Sequence, residues 1–102
     1  AAGGADYDLV LAADTLVYLG DLAPTFAGVA RRLKPGGFFL FTVETSSGPD
    51  FELGPKRRWR HSDSYLRKIA AAFDVAGIVA CAPRSEANVP VDGLAVALST
   101  PA

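Results

Sequence analysis

The sequence predicts an α/β fold, a single unit over residues 1–102, with elements in the order β-α-β-α-β-β. Three observations predict it. Two apolar runs without helical spacing flank an amphipathic segment, the arrangement of a βαβ unit. A Pro-Gly-Gly triplet separates that segment from the second run. The last third carries two more β-type runs, too close together for a helix to cross between them. Hydrophobic residues make up 50% of the chain and charged residues 21%, which excludes a disordered polypeptide.

The first run, YDLVLAA over residues 7–13, is bounded by Asp6, Asp8 and Asp14, and reads as a strand buried on both faces. Residues 21–34 follow as a helix, with Asp21 as N-cap and Pro24 in the first turn. Phe26, Val29, Ala30 and Leu33 share one face, and Arg31, Arg32 and Lys34 suit the negative end of the dipole. Pro35-Gly36-Gly37 stops the helix. Residues 38–44, FFLFTVE, form a second buried strand, parallel to the first. Residues 45–61 read as one long loop, and loops of that length in compact domains are often functional. Residues 62–73 read as a helix capped by Ser62, with Tyr65, Leu66, Ile69 and Phe73 on its apolar face. Residues 75–82 and 91–99 pair as an antiparallel hairpin across 83–90.

Composition narrows the function. A net charge of −1 gives no general reason to bind a polyanion, so nucleic acid is not an expected partner. The single Cys and the single His exclude an intramolecular disulfide framework and a multi-His metal site within one chain. No run reaches the ~18 apolar residues of a membrane span, and the first residues lack the charge and apolar block of a signal peptide. The absence of Met fits a processed product or a fragment, and a reducing, cytoplasmic setting is the expectation.

The stretch YDLVLAADTLVYLGDLAPTFAGVARRLKPGGFFLFTVE resembles the second half of a class I S-adenosylmethionine (SAM)-dependent methyltransferase. The matching pieces are the strand ending Ala13-Asp14, the helix ending Leu33-Lys34-Pro35-Gly36-Gly37 and the strand ending at Glu44. The segment Arg58-Trp59-Arg60-His61-Ser62 followed by Tyr65 resembles the start of the next helix in methyltransferases associated with tetratricopeptide repeats, and GLAVALS completes the hairpin. The resemblance covers residues 6–99. It implies the C-terminal half of a Rossmann-like methyltransferase sheet ending in an antiparallel hairpin, with SAM as the cofactor of the parent domain. That family's Gly-rich loop and ribose-binding acid belong to earlier strands, and neither occurs here: Gly3-Gly4 and Gly36-Gly37 do not stand in a strand-to-helix G-x-G-x-x-G. The chain is therefore read as a partial domain, and the isolated chain is expected to show no methyl transfer.

Site candidates follow from the carboxyl ends of the parallel strands, where open α/β sheets bind ligands. The resemblance places Ala13, Asp14 and Thr15 against the cofactor. Asp14 either accepts from a substrate amine or hydroxyl, or caps the following turn. Glu44 either faces substrate or is a solvated strand end; Tyr18 either lines the pocket or packs under the loop. His61, the only side chain titrating near neutrality unperturbed, is either a general base or an orienting residue of the loop. Asp14 and His61 are thus the catalytic candidates, and Tyr18, Glu44, Arg58 and His61 the substrate-side ones. Lys56, Arg57, Arg58 and Arg60 cluster beside Trp59, as an anion-binding run or a solvated basic loop. Cys81 reads as a small core residue. The strand end Ala-Asp-Thr-Leu lacks the Asn/Asp-Pro-Pro-aromatic motif of nucleic-acid amino-methyltransferases, so a small molecule or a protein side chain is the expected acceptor.

Two further classes stand beside this one. A non-catalytic α/β interaction module would associate through strand 7–13, left as an apolar edge, with the missing N-terminal half or with a second copy. Half of a nicotinamide-binding domain is opposed by the antiparallel ending.

Overall fold

A computed structural model describes residues 7–13, 15–46, 48, 50–54, 57–86 and 89–101. The described chain runs β1 (Tyr7–Ala12), a one-turn 3-10 helix (Leu16–Tyr18), α1 (Ala23–Arg32), β2 (Leu33–Thr45), β3 (Phe51–Leu53), β4 (Trp59–His61), α2 (Asp63–Ile69), β5 (Asp74–Glu86) and β6 (Val89–Ser99). The α/β class, the parallel first pair and the C-terminal hairpin agree with the sequence reading.

β2 organises the sheet. β1 runs parallel to it, with Leu9, Val10, Leu11 and Ala12 opposite Phe38, Phe39, Leu40 and Phe41. β6 lies antiparallel on the other edge, from Phe38↔Ser99 to Glu44↔Gly93, and β5 pairs outside β6. Beyond the end of β1, β4 takes over the first edge of β2, at Glu44↔Arg60 and Thr45↔His61, and β3 pairs outside β4. The last strand in sequence is therefore internal.

Side chains alternate across the strands. One face carries Phe39, Phe41, Val43, Leu94, Val96 and Leu98, all buried, and meets Phe26 of α1, Tyr65 and Leu66 of α2, and Phe73. Phe26 is the hub, its ring 5.6 Å from Phe39, 5.4 Å from Phe41 and 6.1 Å from Phe73, each edge-on. Edge-on packing suits the ring quadrupoles.

The structure corrects the sequence reading in five places. First, the apolar runs are not buried on both faces. Val10 and Ala12 pack against the core, but Leu9 and Leu11 are 53% and 67% exposed, because both described helices lie on one side of the sheet.

Second, α1 ends at Arg32 rather than 34, and Leu33 is already extended. Proline disfavours helical backbone in the residue before it, and the chain leaves the helix ahead of Pro35. Gly36 then takes φ +76°, and Thr100 holds the turn, its Oγ1 donating to the Lys34 carbonyl at 2.6 Å. The cap also shifts: Leu22 occupies the N-cap position, while Asp21 Oδ1 accepts from the Ala23 amide at 3.0 Å.

Third, residues 45–61 are not one loop, since β3 and β4 lie within them. Fourth, α2 ends at Ile69, though Ser62 caps it as read, its Oγ accepting from the Tyr65 amide at 3.1 Å. Fifth, the hairpin strands reach Glu86 and start again at Val89. Its prolines sit where a strand tolerates them: Pro83 within the register shift between Cys81 and Arg84, Pro90 beyond the last pair of β6 with β2. Cys81 is half-buried.

Candidate functional site at the carboxyl rim

β1 and β2 end on the same rim, and the segment after β1 crosses it. Thr15 is exposed and donates its hydroxyl to the Ala13 carbonyl at 2.9 Å, a local turn bond that uses its side chain. Tyr18 follows on the 3-10 turn, 62% exposed. Asp14 lies outside the described residues, as does Lys56.

Arg58, Glu44 and Tyr18 form one cluster. Glu44 at the end of β2 is 4% exposed and Arg58, just before β4, 9%. The Arg58 Nε–H donates to Glu44 Oε2 at 2.7 Å, and an Nη1–H donates to the Tyr18 hydroxyl at 3.1 Å. The guanidinium also lies 5.3 Å from the Tyr18 ring centre. Glu44 is thus a buried, paired carboxylate rather than a solvated strand end, and Arg58 is not part of a solvated basic loop. Tyr18 is not packed under the loop: its hydroxyl is anchored and its ring faces solvent.

His61 is fully buried on β4. Its Nε2 lies 2.9 Å from the Gly20 carbonyl, so Nε2 carries the proton and donates. Its Nδ1 is then a bare acceptor, the one buried side-chain polar atom among the described residues without a partner. Burial pushes the His61 pKa down, against the opposing pull of the Gly20 and Leu19 carbonyls.

Tyr65 completes the hold on this segment. Its hydroxyl donates to Asp21 Oδ1 at 2.7 Å and accepts from the Leu22 amide at 2.8 Å. Burial, then the Asp21 carboxylate, push its pKa up to about 12. Asp21 is held below the usual carboxylate range by the Ala23 amide and the Tyr65 hydroxyl. A Cβ at Gly20 would sit 3.1 Å from the Trp59 ring, so the backbone passes where a side chain would crowd it. Arg58, Trp59, His61 and Tyr65 therefore grip residues 18–22 from one short stretch. Sequence reasoning grouped Arg58, Trp59, His61 and Tyr65 in one motif but missed Gly20 and Asp21 as what they hold. No local pattern marks contacts made across some forty positions.

The rim, the parallel pair and the internal antiparallel β6 can be set beside known structures. No protein-family profile and no curated protein matches the sequence. Solved structures do. A SAM-dependent methyltransferase from Methanosarcina mazei superposes with a TM-score of 0.75 at 12% identity, over 96% of this chain and 62% of that one. A 1,6-didemethyltoxoflavin N1-methyltransferase from Burkholderia thailandensis, with bound 1,6-didemethyltoxoflavin and S-adenosylhomocysteine, gives 0.75 at 18%, over 97% and 46%. The N-methyltransferase NodS from Bradyrhizobium japonicum gives 0.64 at 22%, over 97% and 53%.

The fold is that of the class I SAM-dependent methyltransferases. The chain spans about half the length of the solved structures it matches. Neighbours have been crystallised with SAM or S-adenosylhomocysteine. The residues present here do not make a complete cradle for that cofactor. The sequence has no G-x-G-x-x-G after a strand, Thr15 spends its hydroxyl on Ala13, and the Tyr18 hydroxyl and Glu44 are engaged by Arg58. Among the described residues no cluster of three His, Cys, Asp or Glu side chains could hold a metal, and no helix is long and apolar enough to cross a membrane.

Proposed function

We propose that the chain is the C-terminal half of a SAM-dependent methyltransferase domain whose acceptor is a small molecule or a protein side chain. The observation that carries this reading is the match of nearly the whole chain to about half of each neighbour, at a TM-score of 0.75 for two of them. Cofactor binding is assigned to Ala13, Asp14 and Thr15, the residues that follow the first strand in the sequence. Tyr18 faces the acceptor, and the buried Glu44, Arg58 and His61 position it; Asp14 is the catalytic candidate, and His61, closed off from solvent, takes the orienting role. The Arg58–Glu44 pair and the hold on residues 18–22 keep the exposed Tyr18 ring in place at the rim, which is positioning, the main requirement of an in-line methyl transfer. The Gly-rich loop and the ribose acid are supplied by polypeptide outside residues 1–102, docked along the free edge of β1, and the setting is cytoplasmic.

Calorimetric titration with S-adenosylhomocysteine tests this reading. The 102-residue chain should bind none, and a product extended upstream through a strand followed by G-x-G-x-G should bind one equivalent. A genomic sequence upstream with no such strand and loop would sink the proposal. A second reading, a non-catalytic interaction module, is favoured by the exposed Leu9 and Leu11 on β1; one-to-one binding to the extended product would exclude it.

A further inference from the structure

Tyr18 is an exposed aromatic side chain held in one place. It stands 62% exposed on the one-turn 3-10 helix, after the buried Leu16 and Val17. Its hydroxyl accepts from the Arg58 Nη1–H at 3.1 Å, and the guanidinium lies over its ring, 5.3 Å from the centre. Arg58 is itself fixed, buried and bonded through its Nε–H to the buried Glu44. Tyr7 is the contrast. Arg32 lies over its ring at 5.5 Å, but that arginine is exposed, and among the described residues nothing holds the Tyr7 hydroxyl. Both rings are open to water, and of the two only Tyr18 is anchored by a buried charge pair. Such pairs seldom add net stability over apolar side chains of the same size, so this one is better explained by the ring it places than by the fold.

We infer that the methyl acceptor is a planar aromatic or heteroaromatic small molecule, stacked on the face of the Tyr18 ring turned away from Arg58. This rests on the methyltransferase reading above, which sets Tyr18 before the acceptor. A ring already fixed loses little side-chain freedom on contact. Offset stacking then adds to what area burial alone supplies. A cation gains less at this place, because the guanidinium already draws on the ring's electron density from the other face. The described carboxylates nearby do not make up the difference. Glu44 is spent on Arg58, and Asp21 on the Tyr65 hydroxyl and the Ala23 amide. A lysine or glutamate side chain of a protein acceptor presents no flat face to such a platform.

The test uses the upstream-extended product in two separate titrations. S-adenosylhomocysteine comes first, and its failure to bind sinks the methyltransferase reading whatever the second titration shows. The second compares 2-naphthol with decahydro-2-naphthol, which keeps the hydroxyl and the two-ring skeleton but loses the flat face. The saturated compound carries more apolar surface, so a merely apolar pocket would favour it. Stacking should reverse that order and bind 2-naphthol roughly three- to tenfold tighter, the range of an aromatic pair. The Tyr18 ring resonances should move upfield on binding, a reading that needs no substitution. Tyr18→Leu should abolish the preference, with S-adenosylhomocysteine binding as the check on folding. Tyr18→Phe, which keeps the ring, should hold most of it, and Tyr7→Leu all of it. Equal or reversed affinities in the wild type overturn the inference, as does binding of neither probe. So do unmoved Tyr18 resonances, a preference that survives Tyr18→Leu, or tighter binding of cyclohexylammonium than of 2-naphthol.

Discussion

On the side of the sheet that meets α1 and α2, Phe39, Phe41, Val43, Val96 and Leu98 are closed off from solvent; on the other, Leu9, Leu11, Phe38 and Val79 remain open to it. The two sets alternate along the same strands and come from the same residue types. What separates them is only what lies above each face. Hydrophobic sequence marks what is suited to burial, and the neighbouring layer decides whether burial happens. Stability should therefore be concentrated on the face that meets the helices.

Substitutions can break or sharpen that contrast. Phe39→Ala on the helical face should cost about 3–5 kcal/mol in urea unfolding, while Leu11→Ala on the open face of a monomeric sample should stay within about 0.5 kcal/mol. Equal costs at the two positions would abolish the contrast. Glu44→Leu at the rim strands the buried Arg58 guanidinium, and a loss of about 3–5 kcal/mol is expected; the double variant Glu44→Leu/Arg58→Met should recover most of it. Tyr65→Phe leaves the Leu22 amide without its acceptor and should cost about 1–3 kcal/mol, with faster amide exchange at Leu22.

The smallest effect is the pH dependence carried by His61. Its folded pKa lies below its unfolded value near 6.5, so the unfolded chain binds the proton first. Stability should be full above that unfolded value and decline as pH falls from it toward the folded pKa. His61→Gln should flatten that part of a urea-midpoint profile. Tyr65 acts at the other end: its pKa is raised to about 12, so its contribution is present below its ordinary value of 10 and lost between there and 12.

The parts legible in the sequence are those fixed by local chemistry. The Ser62 cap and the amphipathic spacing around Phe26 rest on neighbours a few residues away, and the turn at Gly36 on that residue's own freedom to take a positive φ, though Thr100 holds it from afar. β3 and β4 were not legible, because three-residue strands have no periodicity and exist by pairing with each other and with the end of β2. At the rim, residue types at strand ends picked out Tyr18, Glu44, Arg58 and His61. Their pairing was hidden, since the Arg58 contact with Tyr18 and the His61 contact with Gly20 cross some forty positions of chain. The placement of β6 between β2 and β5 was equally invisible, because hairpin chemistry is the same whichever strand lies outside.

That placement governs how the molecule is made. A ribosome delivers β6 after the strands on either side of it, and Leu94, Val96 and Leu98 supply core side chains between those earlier strands. Until residue 99 has cleared the exit tunnel, β2 and β5 have no common partner and the Phe26 cluster lacks one wall. Closure of the sheet thereby waits for β6, and a chain cut short before residue 89 has its central plank missing rather than a frayed margin.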